Sequence, residues 1–358
     1  MSRRTALLLT PEVPSPSGSG LQQRAFAWVV RLAAEHAVTV LVWSPSVVKG
    51  REPCNLPGLT RQVDLASGSD LPRYSAGFDV CLVFRLRMHP VAQALRDSCE
   101  VREAWLDLDD IESGTLATIA WCAARRGRLR LALRSMRRAV HDFVLERHLP
   151  RLYSKVFVAA PEDRTRLAPG INVFCMPNRT ALPVSTPTSS NAQTATMLFV
   201  GTLSYFPNED AALLLATTLA PRLRRLYGSQ FRIVIAGRGA SERLRAELTQ
   251  VPEIDFRGEV EHVAPLYQEA HIVVMPLRCG GGTKLKALEA IACRRSIVAF
   301  PQAMRGLGLR AGVDYLAADN TAKFANACLA LLHDPARAAA MADAAAHRLL
   351  DADPSQDT

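Results

Sequence analysis

Short apolar runs alternate along the chain with longer segments in which apolar residues recur at helical spacing. This alternation is typical of α/β proteins, in which strands buried on both faces form parallel sheets covered by helices. The runs predict two successive groups of strands. We place these strands at Ala6–Leu9, Val38–Val42, Val80–Val83, Ala104–Leu108, Val156–Ala159, Met197–Val200, Arg232–Ala236, Ile254–Arg257, Ile272–Met275 and Ser296–Ala299.

A segment rich in Ser, Thr and Pro separates the two groups of strands, at residues 182–195. Its low apolar content predicts an interdomain linker. We therefore expect an N-terminal Rossmann-like domain over residues 1–181, a C-terminal one over 196–350 and a disordered polar tail over 351–358. Doubly wound sheets bind ligands at the carboxyl ends of their strands, so the sequence predicts a site in a cleft between those ends.

Charge and composition narrow the class of partner. The 358 residues suit two domains of moderate size, and the net charge of +9 favours anionic partners such as nucleotide diphosphates. Aromatic residues make up only 6% of the chain and are not interleaved with basic ones, so we do not expect nucleic-acid binding. No apolar run approaches the roughly 20 residues that span a bilayer, and Pro11 follows the first run directly. We therefore predict a cytoplasmic protein.

The sequence offers few residues at the spacing of metal ligands. The 8 cysteines are scattered without a C-x-x-C pair, which predicts reduced thiols rather than a disulfide framework or a zinc site. Asp107 and Asp109 are spaced so that both would point to one face of a strand, as in a metal-binding Asp-x-Asp pair. The duplicated architecture argues against that alternative, and we predict neither a metal nor a cofactor.

An arginine-rich segment, Arg125–Arg138, predicts an amphipathic helix, which would also carry an apolar stripe. The stripe consists of Leu129, Leu133, Met136, Val140 and Phe143. We favour a helix that docks this stripe on its own sheet and leaves the arginines in solvent. The alternative is peripheral contact with an anionic membrane, at its inner face, in the service of a lipid-linked acceptor.

The most informative segment runs from Ile272 to Ala290 and combines a buried strand, three consecutive glycines and a helix predicted to begin near Thr283. Glycines let backbone N–H groups approach an anion, and a helix N-terminus adds unpaired donors and partial positive charge. Lys284 falls in the first turn, where an acidic residue is usual unless an anion lies beside it. Glu289 has two oxygens for the hydroxyls of a ribose. The pattern predicts a site for a nucleoside diphosphate.

The segment Gly280–Ala292 resembles the donor-site loop and helix of the retaining glycosyltransferases of family four, which have the GT-B fold. Other segments match in both halves: Pro14–Arg24, Leu106–Ser113, Pro177-Asn178, Gly201–Asn208, Ala236–Gly239, Phe256–Val260 and Arg305–Leu309. The resemblance implies two Rossmann-like domains facing across a cleft, and an enzyme that assembles bacterial exopolysaccharide or similar surface glycans. The family usually has two glutamates separated by seven residues, and the first of them falls on Gly281 here.

The resemblance also implies a set of site residues. The donor would be bound by Gly201, Thr202, Asn208, Gly258, Val260, Gly280, Gly281, Gly282, Thr283, Lys284 and Glu289. In the first domain, Gly18, Ser19 and Gly20, together with Arg24, would close over the reacting sugar and phosphates. The partners would be a nucleotide sugar and a glycan or lipid-linked acceptor.

Candidate catalytic residues follow from the chemistry of sugar transfer. Lys284 would stabilise the charge that develops on the departing diphosphate. Asp109 and His89 are candidate bases, although a strand-end aspartate often caps a helix and a histidine before proline is often a turn residue. An inactive donor-binding homologue that scaffolds a glycan-assembly complex, and a sugar-nucleotide epimerase on the same fold, remain alternatives. A nicotinamide dehydrogenase is disfavoured because Gly18-Ser19-Gly20 lacks the third glycine of the dinucleotide fingerprint.

Overall fold

The computed structural model describes residues 4–43, 63–66, 71–180, 182, 194–282 and 284–350. Thr283, most of the predicted linker and the predicted tail therefore lie outside the described residues. The chain forms two compact units, of which the first comprises Met1–Gly114 and Arg137–Ala181 and the second comprises Thr115–Met136 and Leu182–Thr358. The structure thus groups residues 115–136 with the second unit, whereas the sequence analysis assigns them to the first domain.

The first unit is built on one parallel sheet. Its strands are β1 (Arg4–Thr10), β2 (His36–Trp43), β3 (Val63–Ala66), β4 (Phe78–Phe84), β5 (Val101–Asp109), β6 (Lys155–Val158) and β7 (Val173–Cys175). The helices of this half of the chain are α1 (Gly20–Ala33), α2 (His89–Arg96), α3 (Glu112–Arg125), α4 (Leu129–His148) and α5 (Pro161–Arg164). The seven strands lie in the order β3-β2-β1-β4-β5-β6-β7, and every pairing is parallel.

The apolar run of β1 explains why this sheet is buried on both faces. Ala6 and Leu8 pack in one hydrophobic cluster with Trp28 of α1, and Leu7 and Leu9 pack in another cluster on the opposite face. All five side chains are fully buried. Because successive side chains of a strand alternate between faces, only a continuous apolar run can fill both clusters.

The second unit repeats this architecture. Its strands are β8 (Ala195–Val200), β9 (Phe231–Ala236), β10 (Ile254–Gly258), β11 (Ile272–Met275), β12 (Ser296–Ala299) and β13 (Leu316–Ala317). Its helices are α6 (Phe206–Leu214), α7 (Ala220–Tyr227), α8 (Glu242–Thr249), α9 (Ala264–Glu269), α10 (Leu285–Ala292), α11 (Thr321–His333) and α12 (Pro335–Leu350). The six strands lie in the order β10-β9-β8-β11-β12-β13 and are also parallel.

The predicted α/β class and all predicted strands are confirmed, with ends that differ by a few residues. Three short strands, β3, β7 and β13, were not predicted. Two of them carry little hydrophobic signal: β7 has three residues, of which Phe174 and Cys175 are exposed, and β13 has two. In the part of the chain that the structure describes, no helix is long and apolar enough to cross a membrane.

The arginine-rich segment differs from the prediction in two respects. It is not one helix, because α3 ends at Arg125 and α4 begins at Leu129, with Gly127 between them at φ +70°. The expected docking of the apolar stripe on the sheet is wrong. Leu129 and Leu133 are 69% and 64% exposed, and the rest of the stripe is exposed as well.

Candidate functional site

The order of strands in the second sheet defines a site at its carboxyl edge. On one side of β8 the strands follow in the order β9, β10. On its other side they follow in the order β11, β12, β13. β8 and β11 are hydrogen-bonded neighbours, with Ile272 opposite Met197. Ligands of such sheets bind where the strand order reverses. Gly201 and Thr202 follow β8 there, and the triple-glycine loop follows β11.

Glycines at this edge allow the loops after β8, β9 and β10 to approach each other closely. Gly201 donates its backbone N–H to Ala236 O at 3.0 Å, and Gly237 donates to Gly258 O at 2.6 Å. A Cβ atom on Gly237, whose φ is +154°, would collide with the carbonyl group of Gly201. Only glycine fits this position, so backbone groups rather than side chains line this part of the edge.

The triple-glycine loop is held by groups from elsewhere in the second unit. The backbone N–H of Gly280, at φ +101°, donates to Thr118 Oγ1 of α3 at 3.0 Å, and its carbonyl accepts from Gln302 Nε2 at 2.6 Å. A phosphate on the loop would have to compete with Thr118 for the Gly280 amide. Gly281 and Gly282 are partly exposed.

Lys284 does not lie in the first turn of the helix, as the sequence predicts, but at the N-cap of α10 with extended backbone. Its ammonium turns back on the loop and donates to the carbonyl oxygens of Gly281 and of Gly282, the latter at 2.8 Å. The lysine thus donates hydrogen bonds to two carbonyl groups of the loop in this structure.

Lys286 is a second cation at the site and was missed in the sequence analysis. Its Nζ donates to Asn208 Oδ1 at 2.7 Å and lies 4.4 Å from the centre of the Phe199 ring. A Cβ atom on Gly201 would come within 2.7 Å of this Nζ. Burial, with a smaller contribution from the charge of Lys284, lowers the pKa of Lys286 to about 7. The ammonium therefore lies directly beside the Gly201 turn without an ion-pair partner among the described residues.

Glu289 lies one helical turn after Lys286 on α10 and is only 7% exposed. Its Oε2 accepts a hydrogen bond of 2.8 Å from the hydroxyl of Tyr267, which is fully buried. Burial raises the pKa of Glu289, although the Tyr267 hydrogen bond and the charge of Lys286 act in the opposite direction. Tyr267 thus fixes the carboxylate and was also not anticipated from the sequence.

The structure brings several of the predicted donor residues together. Asn208 donates from Nδ2 to Thr202 O at 2.9 Å while its Oδ1 holds Lys286. A Cβ atom on Gly280 would lie 3.3 Å from Pro207, the residue before Asn208. The turn after β8, the triple-glycine loop and the start of α10 are therefore one continuous surface. Val260, two residues after β10, is partly buried and packs against the core of the second unit.

A buried acid supports the triple-glycine loop from behind. Asp210 of α6 is 2% exposed and pairs with Arg126 at 2.8 Å and with Arg278 at 2.5 Å. Cys279, which precedes the loop, is buried against Cys122 of α3. Residues 115–136 thus fix one end of the loop by charge and by packing.

At the carboxyl edge of the first sheet, the structure places Arg24 in a buried ion pair. Its Nε and Nη2 bond to the two oxygens of Asp107 at 2.7 and 2.8 Å, and its Nη1 donates to Asn178 Oδ1 at 2.7 Å. Trp28 Nε1 also donates to Asp107. Arg24 and Asp107 are 3% and 0% exposed. Arg24 is therefore bound within the first unit and is not on an exposed loop.

Asp109 belongs to the same network. It accepts from Arg85 Nη1 at 3.0 Å and from Asn178 Nδ2 at 3.0 Å, and Arg85 also binds Asp110 and Glu112. Asp109 and Arg85 have positive φ angles, +62° and +78°, which are strained for residues with a Cβ atom. Burial raises the pKa of Asp109, while Arg24 and Arg85 lower it.

The predicted loop of the first unit forms the start of α1. Ser19 is the N-cap and makes a capping box with Gln22, and its hydroxyl donates to Glu12 Oε2 at 2.9 Å. A Cβ atom on Gly18 would strike the Gln22 side chain. The Gly18–Gly20 sequence therefore has a structural explanation in the helix cap.

His89, the other candidate base, lies in the core at the start of α2. It is 7% exposed, and its Nδ1 is 2.7 Å from the hydroxyl of Tyr153. Burial lowers the pKa of His89. Its surroundings are those of a core histidine, so we do not assign it a role at the site.

Among the described residues, no group of three or more His, Cys, Asp or Glu side chains is arranged to hold a metal ion. Asp107 and Asp109, which resemble a metal-binding pair in sequence, are instead bound by Arg24 and Arg85.

These observations define the class of fold: two Rossmann-like units, each a doubly wound parallel sheet, with glycine-rich turns at the carboxyl edge of the second. Residues 194–334 match the model of the family described as "Glycosyl transferases group 1". The matched residues include every donor residue proposed above. This match covers the second sheet and the whole of the loop and helix from 276 to 292. It supports a group 1 glycosyltransferase. No curated protein sequence matches the chain significantly.

Solved structures confirm the GT-B fold. Anabaena HepE, solved in complex with UDP and glucose, is 14% identical with a TM-score of 0.66, and the match covers 99% of this chain and 95% of HepE. Sucrose-phosphate synthase from Thermosynechococcus elongatus is 16% identical with a TM-score of 0.71, covering 98% and 94%. TarM is 11% identical with a TM-score of 0.58, and the match covers 77% of this chain but only 52% of TarM.

Proposed function

We propose that this protein transfers a sugar from a nucleotide-diphosphate sugar to a glycan or lipid-linked acceptor, with retention of configuration and without a metal ion. The observation that carries the proposal is the pair formed by Lys286 and Glu289, one helical turn apart beside the Gly201 turn. This pair lies within the segment that matches group 1 glycosyltransferases. HepE, which has the same fold, was solved with UDP and glucose.

The donor would use the second unit in three places. Its diphosphate would bind between the Gly201 turn and the Gly280–Gly282 loop, where glycine backbones allow close approach. Its ribose would bind Glu289, whose carboxylate is already oriented by Tyr267. Gly258 and Val260, at the end of β10, would lie towards the base.

The leaving group would be stabilised mainly by Lys286. Departure of the nucleotide diphosphate develops negative charge, and an ammonium in a partly buried position interacts with that charge more strongly than it would in water. Among the residues that the structure describes, the hydrogen-bond partner of this ammonium is a neutral amide, that of Asn208. Lys284 would add a second positive charge once a phosphate displaced it from the loop carbonyls.

Two features support a reaction without a metal. The leaving charge can be neutralised by the two lysines and the loop amides. The acids that might bind a metal, Asp107 and Asp109, are engaged by arginines at 2.7 and 3.0 Å. Asp109 remains a candidate base in the first unit because it is partly exposed and its pKa is raised. We place the enzyme in the assembly of exopolysaccharide or similar surface glycans, as the resemblance implies.

The test is donor binding followed by turnover. A panel of UDP- and GDP-linked sugars is screened by thermal shift, and the best ligand is titrated by calorimetry into the wild type and into Glu289→Ala. We expect the substitution to weaken binding by about tenfold to a hundredfold, the range for a lost hydrogen bond to a charged group. NMR of the product with a suitable acceptor then reports the anomeric configuration.

Glu269→Ala serves as the matched control, because Glu269 is exposed at the end of α9, at the opposite edge of the sheet from Glu289. This variant should bind the donor like the wild type. Equal affinity of Glu289→Ala and Glu269→Ala would contradict the assignment of the ribose site. Donor binding without turnover on any acceptor would indicate a scaffold, and conversion of the donor alone would indicate an epimerase.

A further inference from the structure

Helix α4 is oriented with its polar side towards the protein. The side chains that it buries include Ser135, Asp142 and Glu146, which are 5%, 1% and 4% exposed. Glu146 accepts the backbone N–H of Ser113 at 3.0 Å, and Asp142 pairs with Arg138 at 3.0 Å. Glu146 thus bonds α4 to Ser113 of the first unit, whereas Arg138 lies on α4 itself. The face of α4 opposite these buried side chains is free of the core.

That opposite face is apolar. We call it the α4 stripe, and it consists of Leu129, Leu133, Met136, Val140, Phe143 and Val144, which are 45–69% exposed. The first five recur every three or four positions and Val144 follows Phe143 directly, so the six line one side of the helix for about 22 Å at about 1.5 Å per residue. Large contiguous apolar patches on a protein surface mark places where another molecule or a membrane binds.

The charge beside the α4 stripe has one sign. Arg130, Arg134 and Arg137 are exposed and make no ion pair with any residue that the structure describes. The acids of α4, Asp142 and Glu146, are both buried on the other side. The surface around the stripe is therefore basic.

The stripe includes an aromatic ring with a stacked arginine. Arg147 lies 4.4 Å from the centre of the Phe143 ring, which is 49% exposed. Aromatic rings and long basic side chains both combine an apolar body with a polar end, the combination that suits the boundary between water and lipid.

We propose that the α4 stripe and its arginines bind the surface of an anionic lipid bilayer, with the helix lying in the plane of the interface. The stripe would enter the boundary between headgroups and acyl chains, and Arg130, Arg134 and Arg137 would contact anionic headgroups. A second copy of the chain fits less well, because two such faces would bring unpaired arginines against each other. The proposal stands independently of sugar transfer, since it requires neither donor nor acceptor.

The test is sedimentation of the full chain with vesicles of phosphatidylcholine alone and with mixed phosphatidylcholine–phosphatidylglycerol vesicles. We expect binding to the mixed vesicles only, weakened by salt. Leu133→Gln/Val140→Gln should reduce binding by about tenfold or more, because fewer apolar groups would then enter the bilayer. Arg134→Gln/Arg137→Gln should reduce it by about 25-fold, since each basic residue near the surface contributes about fivefold.

Matched controls exist elsewhere on the surface. Leu226→Gln changes an exposed leucine of α7, and Arg337→Gln an exposed arginine of α12; both should bind vesicles like the wild type. Circular dichroism and the melting midpoint check that every variant folds. Equal binding to both kinds of vesicle, or unchanged binding by both α4 variants, would overturn the proposal. So would a dimer in solution that Leu133→Gln dissociates, with no binding to vesicles, because the occupant would then be a second copy.

Discussion

The carboxyl edges of the two sheets handle charge in opposite ways. At the edge of the first sheet, Arg24 and Arg85 are bound by acids of the same unit. Although burial alone lowers the pKa of each guanidinium, the neighbouring acids raise both above the ordinary value. At the edge of the second sheet, burial instead lowers the pKa of Lys286 and raises that of Glu289. Here burial makes the charged form of each group less favourable than it is in water.

Under the proposed function, this difference marks the second edge as the one that binds an ionic ligand. In the first unit the fold itself supplies the countercharges, so these side chains contribute to the structure. In the second unit the fold holds a lysine against an amide and a glutamate against a phenol, neither of which compensates the charge. A bound diphosphate would supply the countercharge that the lysine lacks. Clusters of ionisable groups with perturbed pKa values are enriched at functional sites, which supports this assignment.

The largest effect should come from breaking the first edge. Asp107→Ala leaves Arg24 buried without its main countercharge and Trp28 without its acceptor. We expect the free energy of unfolding to fall by about 3–5 kcal/mol, the usual cost of removing one partner of a buried ion pair. Urea denaturation followed by circular dichroism measures it.

Asp97→Ala, at the exposed end of α2, is the control and should change stability little. Arg24→Met/Asp107→Leu removes both charges and should recover most of the loss. A loss for Asp107→Ala no larger than that of the control would show that the first edge is not held by its own charges.

Lys286→Met at the second edge should have an intermediate effect, which lowers donor affinity but raises the stability of the protein without donor. The variant should bind the best nucleotide sugar about tenfold to a hundredfold more weakly at pH 6, because it loses a charge-assisted bond. The ligand-free variant should melt at a higher temperature at the same pH, since no buried ammonium remains. Calorimetry and thermal melts provide the two measurements, with Lys323→Met, an exposed lysine in α11, as control.

The pH dependence of this pair of effects follows from the lowered pKa. Between the folded pKa of about 7 and the ordinary value of 10.5, the unfolded chain carries the proton and the folded one does not. The contribution of Lys286 to stability therefore rises with pH above about 7 and is least favourable below it. A bound diphosphate favours the protonated form, so donor affinity should fall as pH rises through about 7. If Lys286→Met kept the same pH profile of affinity, another group would be responsible.

The smallest effect should come from Thr118→Val, which frees the backbone amide of Gly280. If a phosphate uses that amide, removing its competitor should strengthen donor binding by about two- to tenfold, the range for one neutral hydrogen bond. Thr249→Val, on the exposed side of α8, provides the comparison. Weaker binding in Thr118→Val would mean that Thr118 positions the loop rather than competes with the ligand.

The architecture was predictable from local sequence, and the candidate site was proposed from the same kind of signal. Strands such as Leu7–Leu9 and Ile272–Met275 are buried on both faces, and a short continuous apolar run is typical of such a strand. The triple glycine followed by a helix was equally visible, because loop and helix are contiguous in the chain. Lys286 could have been found by the same local reasoning, since it lies one turn before Glu289 on the predicted helix.

Two features could not be derived from local pattern. The hydrogen bond of Tyr267 with Glu289 and that of Thr118 with Gly280 join positions 22 and 162 residues apart, which only the tertiary fold brings together. For α4, the sequence showed an apolar stripe but not its direction. Because Glu146 bonds to Ser113 and the side that carries Ser135, Asp142 and Glu146 is buried, the helix turns its stripe outward, against the usual preference of an amphipathic helix.

The grouping of residues 115–136 with the second unit has a consequence for synthesis. Arg126 and Thr118 leave the ribosome long before Asp210, Cys279 and Gly280, the groups that they contact. During that interval the second sheet, on which α3 packs, has not yet been synthesised. The first unit can complete its own sheet while the side chains of α3 that contact the second sheet are still exposed. A fragment that begins at residue 194, where the family match begins, would lack α3 altogether and leave the buried carboxylate of Asp210 with one arginine instead of two.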